Sequence, residues 1–257
     1  MIKDLEFILK KIIFSESYLL KRRLKRALNK NYEKELKIIE RYSDKTKDAL
    51  DIGVYRGVYT YKLSENFKTV HSFEPNPLLY PFLEKNLNKI IKNIKLYNVA
   101  LSDKNDETEL KLPLRTTSMF KDNIEELFQL GAATMHPDNK IEKYKKVPIK
   151  TKRLDDIEIK NAIGFIKIDV EGHEKNVIIG GKSLIYKNKP VMLIEIEKRH
   201  TNKPIIETIN FIKELNYECF YLLEDKLIDI KNYNNKLAVN NFIFLPKNKW
   251  KHFFNII

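Results

Sequence analysis

The feature that most constrains the fold of this sequence is a regular alternation of short apolar runs with helical stretches, beginning near residue 48. The apolar runs lie at residues 49–53, 69–74, 94–100, 163–169 and 190–197. Helical patterns separate or follow them at residues 58–66, 77–92, 173–187 and 204–215. Strands that alternate with helices form a parallel sheet with helices on both faces. The sequence therefore predicts an α/β, Rossmann-like fold with a mostly parallel sheet.

Two regions modify this pattern. Residues 218–223 and 241–245 predict the last two strands, and only a short polar loop joins them, so we expect an antiparallel final pair and seven strands in all. Residues 108–112 and 146–151 alternate polar and apolar side chains and predict a small β insertion. The stretch around residues 116–140 predicts a loop with a short helix, which often shapes a substrate site.

Residues 1–47 predict an N-terminal helical extension to a domain that spans residues 48–257. Its apolar side chains recur at helical spacing and form successive faces: Ile2, Leu5, Leu9 and Ile12, then Leu20, Leu24, Ala27 and Leu28. Five basic residues lie within residues 21–26. The segment is either an amphipathic helix with a solvated basic face or a patch for a membrane surface or anionic ligand.

The net charge of +13 is concentrated at the two ends of the chain. Residues 1–47 carry +7 and residues 226–257 carry +5, which leaves +1 for residues 48–225. An enzyme of nucleic acid usually has a basic stripe beside its active cleft, so the neutral middle argues against such a substrate. An anionic surface such as a membrane face, or a phosphate-bearing substrate, fits the charged ends better.

Cys219 is the one cysteine, which excludes a disulfide framework and a cysteine-rich zinc site. No apolar run approaches the length needed to cross a bilayer, and acids stand early in the N-terminal segment where a signal peptide would have an apolar core. We therefore expect a cytoplasmic protein whose basic ends can contact a membrane peripherally.

The first apolar run leads into the turn Asp51-Ile52-Gly53-Val54-Tyr55-Arg56-Gly57. Glycines permit a tight turn and a close approach of the backbone to a ligand. A dinucleotide site would prefer G-x-G-x-x-G, which cradles a pyrophosphate, so a nicotinamide oxidoreductase is disfavoured. The turn suits S-adenosylmethionine (AdoMet), which has a carboxylate and a sulfonium but no phosphate, or it is only a structural turn.

Polar groups also follow the second and third apolar runs. Glu74 lies 23 residues after Asp51 and can accept hydrogen bonds from both ribose hydroxyls; the alternative is an exposed carboxylate at a strand end. Asn98 and Ala100 lie where an adenine ring is expected, because backbone amides and small side chains suit a flat heterocycle.

Ionisable groups are densest in the run Phe165-Ile166-Lys167-Ile168-Asp169-Val170-Glu171-Gly172-His173-Glu174. It predicts a buried strand whose C-terminal end carries these groups, and this is the edge where open α/β sheets bind ligands. Capping of a helix by acids accounts for Glu174 but not for the whole cluster.

Together these segments resemble the FkbM family of AdoMet-dependent methyltransferases over roughly residues 48–245. The matching residues are Leu50 to Gly53 with Gly57, Ser72 to Pro75, Asn98 to Ser102, Thr151 with Leu154 to Asp156, Ile166 to Gly172 with Glu174, and Pro190 to Glu195. The cofactor site that we expect from the turn and the resemblance comprises Asp51, Gly53, Tyr55, Arg56, Gly57, Glu74, Asn98, Ala100 and Asp169.

The first turn departs from the family at one position, where Tyr55 replaces a frequent asparagine. The departure concerns how the methionine end of AdoMet is held. Our hypothesis is that Arg56 helps to hold its carboxylate.

The resemblance implies methyl transfer, usually to a hydroxyl of a sugar or another small metabolite, such as a glycan or glycolipid precursor. A hydroxyl acceptor needs a base or a metal. His173 is the first candidate because imidazole titrates near neutral pH, although it also fits a capping or surface role. Asp169 and Glu171 are the alternatives. We predict no resident metal; Asp169 and Glu195 are the candidate ligands if a divalent ion binds.

Two further functions stay open. An RNA methyltransferase is favoured by the total charge and opposed by the neutral middle of the chain. A non-catalytic AdoMet-fold binding protein is compatible with Tyr55. His200, in the loop after the fifth predicted strand, faces either the substrate or the solvent.

Overall fold

The computed structural model of the 257-residue chain describes residues 14–29, 34–114, 130–136, 143–201, 204–234 and 237–247. Its strands are β1 (Asp48–Ile52), β2 (Val70–Phe73), β3 (Ile94–Tyr97), β4 (Ala100–Leu101), β5 (Asp106–Pro113), β6 (Tyr144–Lys152), β7 (Ile163–Ile168), β8 (Val191–Glu195), β9 (Tyr217–Leu223), β10 (Lys226–Asp229) and β11 (Asn241–Pro246). Its α-helices are α1 (Glu16–Asn29), α2 (Leu36–Arg41), α3 (Val58–Asn66), α4 (Tyr80–Ile90), α5 (Glu174–Gly180), α6 (Lys182–Asn188), α7 (Lys198–Thr201) and α8 (Ile205–Lys213).

Eight strands form the large sheet in the spatial order β10-β9-β11-β8-β7-β1-β2-β3. The five from β8 to β3 pair parallel, whereas β11 runs antiparallel to both β8 and β9. Ile52 on β1 is in register with Phe73 on β2 and with Ile168 on β7. The C-terminal ends of these strands therefore meet at one edge of the sheet.

Helices cover both faces of the sheet, as the alternation predicted. Leu50 and Ile166 pack on one face in a cluster that includes residues of α5, α6 and α8. Their neighbours Ala49 and Phe165 pack on the other face with residues of α2 and α3. Successive side chains of a strand point to opposite faces, so strands buried on both faces read as continuous apolar runs.

The predicted number of seven strands is wrong by one. The additional strand is β10, which pairs with the edge of β9 across the two-residue turn Glu224-Asp225. A four-residue edge strand obtains its hydrogen bonds from its neighbour and needs no apolar run, so its sequence was interpreted as part of a polar loop. The predicted antiparallel pairing of the last two apolar segments is confirmed by β9 and β11.

The third predicted strand is divided between two sheets. Ile94–Tyr97 joins the large sheet, whereas Ala100–Leu101 pairs with β6 in a three-stranded sheet of order β4-β6-β5. This small sheet is the predicted β insertion. Of the loop predicted around residues 116–140, residues 130–136 are described and begin with a 3₁₀ turn, and the other residues lie outside the described part of the chain.

The single helix predicted at residues 173–187 is two helices, α5 and α6. The Asp155 carboxylate accepts hydrogen bonds from the N–H groups of Ser183 (3.1 Å) and Leu184 (2.8 Å). Satisfying these donors at the start of α6 stabilises a new helix N-terminus. The capping residue comes from a distant segment, but the pair Gly180-Gly181 at the junction marks the break in the sequence itself.

Among the described residues, two helices precede the sheet; the first predicted helical stretch, Ile2 to Ile12, lies outside them. Leu20 and Leu24 of α1 are buried in a cluster with Leu83 and Leu87 of α4. The domain boundary at residue 47 stays a prediction. Among the described helices, none has both the length and the apolar character needed to span a bilayer.

Candidate active site

Two glycines shape the turn after β1. Gly53 has a φ of +91°, and a Cβ atom there would lie 1.8 Å from the backbone oxygen of Asp169. Gly57 has a φ of +78° at the start of α3, and a Cβ atom there would lie 3.1 Å from the Leu87 side chain. Glycine adopts such positive φ values without steric cost. The turn therefore packs directly on the chain that leaves β7.

Asp51 is buried directly before this turn, with 1% of its surface exposed. The Thr60 hydroxyl donates to its Oδ2 atom. Its Oδ1 atom is buried and has no hydrogen-bond partner within the described residues. Burial raises the pKa of Asp51 to about 7. A buried acceptor without a donor is costly, so Asp51 Oδ1 is an unsatisfied polar atom directly behind the turn.

A cleft opens at the C-terminal ends of β1, β2 and β7. Three carboxylates stand among its mainly apolar lining residues, which are Ile52, Gly53, Tyr55, Phe73, Glu74, Pro75, Val99, Ala100, Leu101, Leu110, Gly131, Ala133, Met135, Asp169, Val170 and Glu171. Apolar walls with a few polar groups are typical of cofactor sites.

Glu74 lines this cleft with both carboxylate oxygens already held. The N–H of Tyr55 donates to Oε2 at 2.9 Å, and the N–H of Asn76 donates to Oε1 at 3.0 Å. Burial raises the pKa of Glu74 to about 7. Each carboxylate oxygen can accept a second hydrogen bond, so the two backbone contacts fix the group and leave acceptor sites for ribose hydroxyls.

Ala100 lines the cleft beside Val99 and Leu101, where the sequence placed the adenine ring. Asn98 has a different position, because its amide donates to the backbone oxygen of Glu74 at 2.9 Å. It does not belong to the cleft lining. Asn98 thus braces the loop that carries Glu74, and a direct contact with adenine stays a prediction.

Tyr55 lines one side of the cleft and contacts the segment between β5 and β6 at Gly131. Its φ is +47°, which is uncommon for a bulky residue. A Cβ atom on Gly131 would come within 2.8 Å of the Tyr55 ring. The Arg56 guanidinium lies 4.9 Å from the centre of the same ring and does not line the cleft. The sequence identified the unusual tyrosine but not its contact with Gly131.

A second cavity of about 560 Å³ lies beside the cleft, and Asp169 lines both. The second cavity is mostly polar and is formed by Lys34, Glu35, Asp169, Glu195, Leu222, Leu223, Glu224, Ala238, Val239, Asn240 and Asn241. Asp169 therefore stands at the boundary between an apolar cleft and a polar cavity.

Glu195 and Asp169 come together in this second cavity, as predicted for neighbouring strand ends. Burial, followed by the charge of Asp169, raises the pKa of Glu195 to about 9. The Asn240 amide donates to Glu195 Oε1 at 2.8 Å. Lys167 is buried; its Nζ atom lies 4.0 Å from Asp169 Oδ2 and donates to Asn241 Oδ1 at 3.2 Å. The raised pKa favours the protonated form of Glu195, whereas Asp169 faces the buried ammonium group of Lys167.

His173 belongs to the lining of neither cavity. Its Nε2 atom lies 2.9 Å from the Ser102 hydroxyl, and it makes no side-chain cap to α5. Burial lowers the pKa of His173 to about 4. Glu171 does line the cleft, and its Oε2 atom lies 2.6 Å from Nε2 of the buried His200. His200 is therefore buried against Glu171 and does not face the solvent, which was one of its two predicted positions.

The family model of the methyltransferase FkbM domain matches residues 51–219, which contain the turn, Glu74, Asp169 and Glu195. This chain belongs to the FkbM family of AdoMet-dependent methyltransferases. Comparison with curated proteins gives no match.

The FkbM methyltransferase of Methylobacillus flagellatus KT shares the fold, with 16% identity and a TM-score of 0.51 over 78% of this chain and 44% of that one. This chain thus spans less than half the length of that protein. Two other solved structures have lower TM-scores of 0.45. One is an rRNA methylase from Streptococcus thermophilus, with 10% identity over 82% of this chain and 91% of that one. The other is an O-methyltransferase from Bacillus cereus in complex with SAH, with 11% identity over 94% of this chain and 96% of that one.

In this FkbM domain, the residues selected from sequence divide into two groups. The residues that line the cleft are Gly53, Tyr55, Glu74, Ala100, Asp169 and Glu171, whereas those that lie outside its lining are Asp51, Arg56, Gly57, Asn98 and His173. Sequence reasoning missed two asparagines at the start of β11 that help to line the second cavity: Asn240, which precedes the strand, and Asn241, its first residue. Their signal was two consecutive amides, Asn240 and Asn241, where the chain enters a buried strand.

Proposed function

We propose that this protein transfers the methyl group of AdoMet to a hydroxyl of a sugar, in a glycan or glycolipid precursor, or of a similar small metabolite. The observation that carries the proposal is the position of Asp169 between the apolar cleft and the polar cavity. Methyl transfer is an in-line displacement, so donor and acceptor must approach the same point from opposite sides.

The cleft fits AdoMet by the chemistry of its free polar atoms. Glu74 would hold the ribose hydroxyls, and the wall around Ala100 would hold the adenine. Two residues behind the cleft lining are the candidates for the methionine end: Asp51, with its unpartnered Oδ1 atom, for the ammonium, and Arg56 for the carboxylate. When bound, AdoMet supplies an electrophilic methyl group on its sulfonium.

The second cavity would hold the acceptor, since carboxylates and amides are the usual partners of sugar hydroxyls. Asp169 would accept the hydroxyl proton as the acceptor oxygen bonds to the methyl carbon and the carbon–sulfur bond breaks, giving a methyl ether and S-adenosylhomocysteine. A positioned base of this kind contributes about 10²- to 10⁴-fold to the rate.

The other two base candidates are less well placed. His173 bonds to Ser102 away from both cavities, and a pKa of about 4 makes it a weak base at neutral pH. Glu171 is engaged by His200. A divalent metal between Asp169 and Glu195 would be opposed by the raised pKa of Glu195, which favours the protonated carboxyl. It would also lie close to the positively charged ammonium of Lys167. We therefore assign proton transfer to Asp169 without a metal.

An RNA substrate is the second candidate, and the net charge of +13 is the observation that favours it. The acidic groups of the acceptor cavity oppose it, because phosphates would approach the carboxylates of Glu35, Asp169 and Glu224. We therefore favour a small acceptor over nucleic acid.

Calorimetric titration with AdoMet, and separately with NADH, tests the cofactor. We expect AdoMet alone to bind, with loss of binding in Glu74→Ala and retention in the exposed control Glu65→Ala. Release of S-adenosylhomocysteine with a panel of sugars and an RNA oligonucleotide then tests the acceptor. Binding of NADH, or turnover only with RNA, would overturn the proposal; AdoMet binding without turnover on any acceptor would favour a non-catalytic binding protein.

A further inference from the structure

The outer face of α1 carries a dense group of cations. Five basic side chains lie within six residues and all are exposed: Lys21, Arg22, Arg23, Lys25 and Arg26. None of them forms an ion pair with a carboxylate in the part of the chain that the structure describes. The acid of this helix, Glu16, contacts Lys85 of α4 at 2.9 Å. No carboxylate in the described ranges therefore neutralises these five charges.

The helix that carries these charges is fixed at the rim of the cofactor cleft. Leu20 and Leu24 are buried in one cluster with Val54, from the turn after β1, and Leu79, from the loop after β2. Both loops lie at the edge of the sheet where the cleft opens. Packing of the apolar face holds the basic face outward, near the entrance of the candidate active site.

An aromatic pair accompanies the cations. Tyr18 is 50% exposed and stacks on Phe14 with 4.8 Å between the ring centroids. Residues three and four apart share a helix face, so Tyr18 lies on the same face as Lys21 and Arg22. Exposed aromatic rings beside lysine and arginine are typical of helices that lie in the interfacial layer of a membrane.

We infer that α1 docks this protein peripherally on an anionic phospholipid surface. A short convex helix with cations and aromatic rings fits a flat, negatively charged layer. Nucleic acid fits less well, since a strand reaching Asp169 from α1 would meet the carboxylates of the acceptor cavity. Docking itself concerns only the outer face of α1 and requires no methyl transfer; only the argument against nucleic acid rests on the proposed function.

Co-sedimentation with vesicles tests this docking, with pure phosphatidylcholine compared with phosphatidylcholine containing phosphatidylglycerol. We expect binding only to the anionic vesicles. Each lysine or arginine near such a surface contributes about fivefold to partitioning, so loss of four should weaken binding roughly several hundredfold. The variant for this measurement is R22Q/R23Q/K25Q/R26Q.

The matched control removes four exposed lysines elsewhere, K150Q/K152Q/K182Q/K187Q. It should lose far less binding, because its charges lie outside α1. Tyr18→Ser should weaken the binding that remains at high salt, where charges are screened. Far-ultraviolet circular dichroism and thermal unfolding establish that each variant is folded.

Three results would overturn the inference: equal binding to both vesicle types, an equal loss in the two quadruple variants, or binding to an RNA oligonucleotide without binding to anionic vesicles. Because vesicle binding is measured without AdoMet or acceptor, its outcome is separate from that of the proposed methyl transfer.

Discussion

The backbone oxygen of Asp169 occupies the space that a side chain on Gly53 would need, with 1.8 Å between that oxygen and an ideal Cβ. The turn that follows β1 and the run that follows β7 are therefore in direct contact at the floor of the cleft. Since Asp169 also lines the second cavity, the turn after β1 lies directly beside the residue that the two cavities share.

Gly53→Ala should destabilise the fold and abolish AdoMet binding. The substitution combines a positive φ with a backbone clash that no side-chain rotation relieves, so we expect a loss of at least about 2 kcal/mol. Urea unfolding and calorimetry measure the two effects. Gly164→Ala, at a glycine whose φ is not positive and whose neighbours are side chains 3.1–3.3 Å away, is the milder control. Wild-type affinity in Gly53→Ala would contradict the assigned geometry.

AdoMet affinity should rise with pH and level off above about pH 7. The pKa of Glu74 in the free protein is about 7, and ribose hydroxyls donate best to the ionised carboxylate. Below that pH the group is protonated, so binding must also remove a proton. Glu74→Gln should flatten the profile and leave the smaller slope of Asp51, whose pKa is also about 7. Calorimetry between pH 5.5 and pH 8.5 measures it; an unchanged slope in the variant would exclude this role.

Glu174→Gln should become more stable than the wild type as the pH rises. Burial raises the pKa of Glu174 from 4.5 to about 7, so the folded protein retains a proton that the unfolded chain loses between these values. The stability of the wild type therefore falls over this window, and the variant avoids the buried charge. The difference should reach at most about 3 kcal/mol above pH 7.

Urea unfolding at pH 4.5 and pH 8 measures this difference. Glu65→Gln, an exposed glutamate, is the matched control and should show no comparable trend. If the stability of Glu174→Gln relative to the wild type did not change with pH, ionisation of Glu174 would not destabilise the folded protein.

A double-mutant cycle should reveal coupling between Tyr55 and Gly131. Gly131→Val places atoms within reach of the Tyr55 ring, since even a Cβ would lie 2.8 Å from it. We expect the ring to move and AdoMet affinity to fall about tenfold, as coupled neighbours commonly show 0.5–3 kcal/mol. In a Tyr55→Ala background the same valine should cost little. Additive effects on the dissociation constant would mean that this contact does not close the cleft.

Asp169→Asn should lower kcat by about 10²- to 10⁴-fold if Asp169 is the base. Glu195→Gln should retain more activity than Glu195→Ala, because the carboxamide preserves the neutral donor that the raised pKa of Glu195 provides. The release of S-adenosylhomocysteine measures turnover. If His173→Ala lost as much kcat as Asp169→Asn, the histidine would be a candidate base again.

The sequence by itself determined the order of strands and helices and the residue types at the strand ends. Periodicity records which face of an element is buried, and the core strands are buried on both faces, so their apolar runs were visible without coordinates. Gly53, Glu74 and Asp169 were identifiable for the same reason, since each directly follows such a run. The weak edge strand β10 left no comparable signal.

The sequence predicted that Asp169 and Glu195 lie close together, but the other contacts among these groups were decided by the tertiary structure. The chain brings β7 beside β1 although more than a hundred residues separate them, and inserts β11 between β8 and β9. Asn241 therefore meets Lys167, Gly131 meets Tyr55, and His173 turns to Ser102. Contacts of this kind depend on strand order and on loop packing over long sequence distances, and local patterns of burial carry no information about either.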